Sequence, residues 1–162
     1  MIRYAKPADH AAIEAVVTSA FGQPDEARLV ARLRADEDVM FELVAVEAGE
    51  VAGHIVFSRL WADRFELYAA LGPLAVRPGL QRTGLGSALT RAGLDCAREF
   101  GAFGVIVLGH PSYYPRFGFS AEAAAQVRSP YSGSPSFMAL ALEDNAFEGP
   151  MSVAYPEAFS AA

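Results

Sequence analysis

The chain of 162 residues predicts a single mixed α/β domain, residues 1–162, built around a sheet with one parallel strand pair. Three observations lead there. A strand-like run, Leu71 to Val76, is followed by a helix-like run, Leu85 to Phe100, and then by the continuous apolar run Phe103 to Leu108. Strand, helix and buried strand in that order imply a parallel pair with a right-handed crossover. Two further apolar runs joined by Gly49-Glu50 read as an antiparallel hairpin. Near the N-terminus, apolar residues recur at helical spacing.

Taken in order, Ile2 to Tyr4 reads as a short strand. A helix over about Pro7 to Phe21 presents Ile13, Val16, Val17, Ala20 and Phe21 on one face. A second, about Pro24 to Ala35, begins with an early proline and buries Leu29, Val30 and Leu33. Strands follow at Phe41 to Glu47, Val51 to Leu60 and Phe65 to Val76, the last stopped by Pro78. The next helix carries Leu85, Leu89, Ala92, Cys96 and Phe100 on one stripe and is ended by Gly101. A helical turn at Tyr113 to Phe117 ends at Gly118, with Pro115 confined to its first turn. Phe137 to Leu142 and Met151 to Ala154 read as strands. Ala121 to Ser136, rich in Pro, Ser and Gly, has no clear assignment.

Composition narrows the function classes. A net charge of -6 argues against nucleic acid or an anionic membrane as the main partner. One cysteine excludes an internal disulfide framework. No run approaches the roughly 20 apolar residues of a spanning helix, and Met1 to His10 has no apolar stretch of signal-peptide length. A cytoplasmic protein, monomeric or homodimeric, is expected. Three dispersed histidines give no metal-ligand spacing, so no metal site is expected. No Gly-x-Ser-x-Gly elbow is present, and Cys96 lies on an apolar helix stripe as a small buried thiol would.

The most informative stretch is Gln81-Arg82-Thr83-Gly84-Leu85-Gly86, between a strand and a helix. Such a junction aims several backbone N–H groups and the positive end of a helix dipole at one spot, where a phosphate-type anion fits. Arg77 and Arg82 lie in the same turn. A P-loop is excluded, because Leu85 and Gly86 stand where Lys and Ser/Thr would follow Gly84. A dinucleotide fingerprint is weak, because Leu89 holds its third glycine position mid-chain.

The pattern Gln-x-x-Gly-x-Gly after a strand is matched in full. Leu71-Gly-Pro-Leu-Ala-Val-Arg-Pro-Gly-Leu-Gln-Arg-Thr-Gly-Leu-Gly-Ser-Ala-Leu resembles the acetyl-CoA-binding motif of the GNAT N-acetyltransferase superfamily. Leu108-Gly-His-Pro-Ser-Tyr-Tyr-Pro-Arg-Phe-Gly-Phe resembles the second half of that cofactor site, and the two blocks together look like the YhbS-type branch. The resemblance implies a GNAT-like fold: a central, mostly antiparallel twisted sheet, a splayed parallel pair around the CoA site, and helices on both faces.

It also implies roles. The pyrophosphate of acetyl-CoA would rest on Gln81, Arg82, Thr83, Gly84, Leu85, Gly86 and Ser87. The pantetheine arm would pair like an added strand with Leu74, Ala75 and Val76, where a backbone N–H can also stabilise the oxyanion. Tyr114 matches the family's general acid. For the base, His110 follows the buried strand at its carboxyl end, and histidine is the side-chain type that exchanges protons near neutrality. Glu66 and His54, on strands that could face the cleft, and a water relay are the other candidates. The implied reaction is direct acetyl transfer to a primary amine of a small molecule or peptide. Its rival is an acyl-CoA-binding sensor that keeps the loop and needs neither acid nor base. The two N-terminal helices and Ala121 to Ser136 would wall the acceptor pocket, with Phe21, Tyr131 and Phe137 as apolar candidates.

Overall fold

The computed structural model describes residues 1–160. In chain order it contains β1 (Ile2–Tyr4), α1 (His10–Phe21), α2 (Asp25–Ala35), β2 (Val39–Glu47), β3 (Glu50–Ala62), β4 (Tyr68–Val76), α3 (Leu85–Glu99), β5 (Gly104–Leu108), β6 (Val127–Arg128), β7 (Phe137–Ala141) and β8 (Met151–Ala154). Single 3-10 turns lie at Pro7–Asp9, Pro78–Leu80, Tyr114–Phe117 and Glu157–Phe159. The hydrogen-bonded strand order is β1-β2-β3-β4-β5-β7. β1–β2, β2–β3 and β5–β7 are antiparallel, and β4–β5 is the expected parallel pair. Two residues of β6, in the segment without a sequence assignment, pair parallel to β8.

The chain forms two compact units. The first comprises Met1–Ser58, Gly72–Asp95 and the segment from Pro156. Its core joins Ile13, Val16 and Val17 of α1 and Ala27 of α2 to Val44 of β2 and Ala75 of β4. Val44 stands directly opposite His54 on β3, so both point to the face that α1 and α2 cover. Alternation turns Gly53 and Phe57 to the other face, where α3 packs. A Cβ on Gly53 would sit 2.8 Å from Leu89, and one on Gly93 would overlap the Phe57 ring. Both glycines are therefore places where helix and strand come too close for a side chain.

That close approach rotates α3 from its expected setting. Leu89, Leu94 and Ala97 are buried, with Thr90 fully buried beside them, whereas Ala92 and Cys96 are half-buried and Phe100 is exposed. The Thr90 hydroxyl donates to the Gly86 carbonyl at 2.8 Å, so a polar residue can turn inward without a lost hydrogen bond. In α1, Ile13, Val16 and Val17 are buried, but Phe21, in the last turn beside Gly22, is exposed. The β2–β3 turn falls one residue earlier than the sequence suggested. Ala48 and Gly49 take positive φ (52° and 78°), the two-residue geometry of a tight hairpin.

The second unit comprises Arg59–Leu71 and Cys96–Tyr155. Its core gathers Leu60, Tyr68, Ile106, Phe137, Phe147 and Met151. Here the parallel ladder aligns Tyr68–Leu71 with Gly104–Val107. Residues 63–67 are turn rather than strand, which shortens β4 and leaves Glu66 off any strand. Arg64 fastens that turn, donating to the carbonyls of Ala146, Glu148, Gly149 and Pro150.

Candidate active site

Within the first unit a strand–turn–helix junction forms at Gln81 to Gly86. After β4 the chain makes the Pro78–Leu80 turn, takes Arg82 and Gly84 through positive φ (66° and 90°), and enters α3 at Leu85. Glycine adopts such a φ without penalty, and arginine does so at a cost of about 1–2 kcal/mol. A side chain on Gly84 would meet nothing within 4 Å, so the glycine serves backbone direction and leaves open space in front of the loop.

Two loop side chains are tied to the loop's own backbone. Gln81 Nε2 donates to the Val76 carbonyl at 3.1 Å, and the Thr83 hydroxyl donates to the Leu80 carbonyl. The Arg82 side chain is exposed and has no partner among the described residues. The second cation of the turn, Arg77, differs: its NH1 lies 3.3 Å from Glu50. The first backbone bond at the start of α3 runs from Ala88 to Gly84 at 3.0 Å. N–H groups in the turn before it have no intrahelical acceptor and carry the positive end of the helix dipole.

Leu74, Ala75 and Val76 lie beyond the parallel ladder, which ends at Leu71. Ala75 is buried and Leu74 and Val76 are half-buried, so this stretch offers backbone more than side-chain chemistry.

Within the second unit Tyr114 opens the 3-10 turn with Pro115 directly behind it, and Gly118 closes it at φ 102°. The Tyr113 and Tyr114 amides are held by the His110 carbonyl at 3.0 and 3.3 Å. The Tyr114 ring is buried against Phe119, with centroids 5.9 Å apart, and a Cβ on Gly109 would overlap it. Burial, and secondarily Tyr113, push the Tyr114 phenol above its ordinary range, so it stays protonated at physiological pH. Tyr113 stands edge-on to Tyr114 (86° between planes) and carries the Arg116 guanidinium 4.4 Å over its ring. His110 is exposed, and its ring has no partner among the described residues.

The remaining candidates separate clearly. His54 is fully buried, with Nε2 2.8 Å from Glu42 Oε1. Arg34 grips the same carboxylate with two parallel bonds of 2.9 and 2.8 Å. Burial opposes the Glu42 charge, but the hydrogen bonds from His54 and Arg34 outweigh it and hold the carboxyl at about 2. Burial likewise holds His54 below the ordinary histidine range, with Glu42 partly opposing, so the imidazole is neutral and donates through Nε2. Sequence reasoning named His54 alone and missed its partners Glu42 and Arg34, because the three residues meet only once α2, β2 and β3 have packed. Of the apolar pocket candidates, Phe21 is exposed, Phe137 is core, and Tyr131 packs on Tyr155 at 5.2 Å. No cluster of three or more His, Cys, Asp or Glu able to hold a metal occurs among the described residues. No described helix is long and apolar enough to cross a membrane.

Residues 7–119 match the model of the acetyltransferase (GNAT) family. The chain belongs to the GNAT acetyltransferase family. It is 36% identical over 152 residues to the uncharacterized N-acetyltransferase YhbS of Escherichia coli K12, spanning 92% of this chain and 91% of that one. A crystal structure of E. coli YhbS in complex with CoA superposes with a TM-score of 0.92 at 35% identity, covering 99% of this chain and 91% of that chain. A GNAT acetyltransferase from Brucella melitensis in complex with acetyl-CoA gives 0.82 at 36% identity, covering 98% and 97%. The GNAT chain thus has the mixed fold its motifs implied: among the described residues, a mostly antiparallel sheet, the β4–β5 parallel pair and three α-helices.

Proposed function

We propose that this GNAT protein, acting as one domain over residues 1–162, moves the acetyl group of acetyl-CoA directly to a primary amine of a small molecule or peptide. The observation that carries the reading is the loop from Gln81 to Ser87. It combines a helix entry, an exposed and uncommitted Arg82, and side chains turned inward so that backbone N–H groups front open space. Those features suit a pyrophosphate. Leu74, Ala75 and Val76 suit the amides of a pantetheine arm, since they lie past the end of the parallel ladder. Binding of CoA and of acetyl-CoA by the two related crystal structures supports the same donor. A cytoplasmic setting belongs to the proposal, because acetyl-CoA is a cytoplasmic metabolite.

The donor supplies an activated thioester, and the chain supplies position and proton control. The loop fixes the charged end, and a backbone N–H of Leu74–Val76 would donate to the carbonyl oxygen as negative charge develops on it. Tyr114 would donate a hydrogen bond to the departing sulfur. Its raised pKa keeps the donor proton in place but makes complete transfer to sulfur harder than from a free phenol. His110, exposed at the end of β5, is the proposed route for protons to solvent.

Isothermal titration of the folded protein with acetyl-CoA tests the donor. Binding in the micromolar range is expected, and a dissociation constant no tighter than about 1 mM, worth roughly 4 kcal/mol, overturns it. Thiol release with a panel of primary amines, above the hydrolysis background, separates an enzyme from an acyl-CoA sensor.

A further inference from the structure

His54 is a buried, oriented imidazole to which no step above gives a role. Its Nδ1 has no hydrogen-bond partner, although the atom is out of solvent. Buried side-chain nitrogens are almost always satisfied, so such an atom asks for an explanation. The hydroxyl of Ser58, four residues along the same strand and on the same face, is likewise buried without a partner.

Three further facts bear on His54. Its Nε2 is committed to Glu42, and Glu42 is clamped by Arg34, so the ring's basic lone pair is on Nδ1. A base whose other nitrogen is oriented by an ionised carboxylate is the arrangement that general-base histidines use. Its place on β3 also matters. β3 and β4 are hydrogen-bonded neighbours; the Arg77 amide donates to the Ala52 carbonyl at 2.8 Å, and a Cβ on Gly53, the residue before His54, would lie 3.2 Å from the Ala75 carbonyl oxygen. Ala75 shares the core cluster of Val44, the residue directly opposite His54. The imidazole thus lies beside the stretch of β4 assigned above to the thioester arm.

We infer that His54 is the proton acceptor of acetyl transfer, taking the proton of the attacking amine at Nδ1 by way of a water molecule. As the new C–N bond forms, one amine N–H proton passes to water and from water to Nδ1. The C–S bond breaks, the electron pair leaves on sulfur, and the imidazolium later returns its proton to solvent. The positive ring is balanced by Glu42 from β2, opposed by Arg34 from α2 and more weakly by His10 at the start of α1. This role rests on the acetyl-CoA reading.

The test uses His54→Gln, whose amide nitrogen can keep the bond to Glu42 while removing the basic atom. In long-range 1H–15N spectra of 15N-histidine-labelled wild type, His54 should be protonated at Nε2 and bare at Nδ1, and the Nδ1 resonance should move when acetyl-CoA is added. With acetyl-CoA and n-butylamine, His54→Gln should keep the melting temperature and acetyl-CoA affinity, lose about 100-fold in kcat, and lose the acid limb of the pH profile. A ring protonated at Nδ1, an Nδ1 resonance indifferent to bound acetyl-CoA, or a wild-type pH profile in His54→Gln overturns the inference. Transfer of the acid limb to His110→Gln overturns it too. Failure of acetyl-CoA to bind wild type in the same samples instead removes the donor assignment, while the tautomer is still read.

Discussion

Gly93 of α3 lies against the ring of Phe57 on β3, with no room for a single methyl group between them. Phe57 cannot easily retreat: it is fully buried and stacked on Phe41 at a centroid distance of 4.7 Å. Gly93→Ala should therefore destabilise. Alanine gains about 1 kcal/mol of helix propensity, but overpacking costs about 1–3 kcal/mol. A net loss of up to about 2 kcal/mol in urea unfolding is expected. Phe57→Leu in the same chain should recover part of it, and strictly additive losses would show that the contact is not the cause.

Acid should weaken the first unit in two stages. His54 is depressed, so the unfolded chain binds its proton first, and stability falls as pH drops below about 6.5. Glu42 is held at about 2 against 4.5 unfolded, and Asp9 at about 2 against 3.8, mainly by the hydrogen bond from Arg3. Their contribution is complete above about 4.5 and is lost progressively toward pH 2. Melting temperature against pH should show both slopes. Glu42→Gln should remove Glu42's share of the lower one and cost about 3 kcal/mol at pH 7 by leaving Arg34 without its charge partner.

Arg82→Gly separates binding from folding. Glycine removes the left-handed strain at φ 66°, so the melting temperature should hold or rise. Acetyl-CoA affinity should fall about tenfold, the size of one charge-assisted hydrogen bond. The loss should shrink in high salt. Unchanged affinity would mean that Arg82 is a solvated charge.

Tyr114→Phe should leave the fold intact, since the ring contact with Phe119 survives. Acetyl-CoA affinity should change by less than about twofold, while kcat falls about 10- to 100-fold. Thiol release equal to wild type would remove Tyr114 from the chemistry. Gly109→Ala, which pushes on the same ring, should lower kcat as well.

Local signals carried much of this molecule. The Gln81-x-x-Gly84-x-Gly86 spacing, the Gly101 and Gly118 terminators and the apolar run ending at Leu108 each depend on neighbours in sequence, and each element formed where its residues pointed. What stayed hidden depends on distant partners. The buried stripe of α3 is turned by Gly93 meeting Phe57, and Thr90 is inward because Gly86 accepts its proton. Arg34, Glu42 and His54 are eight and twelve residues apart in the chain and meet only once α2, β2 and β3 have packed. Turn length misled in the same way, since Arg64 draws residues 63–67 out of the strand by bonds to carbonyls more than 80 residues away.

The bonds that Gln81 and Thr83 make to the Val76 and Leu80 carbonyls give these two side chains an unusual mutational signature. They hold the loop in one conformation before any ligand arrives, so its ordering entropy is lost during folding instead of at binding. Replacing either by alanine should therefore weaken acetyl-CoA through a more negative binding entropy, with the enthalpy nearly unchanged. On the proposed function, affinity at this loop would partly be a property of the empty protein.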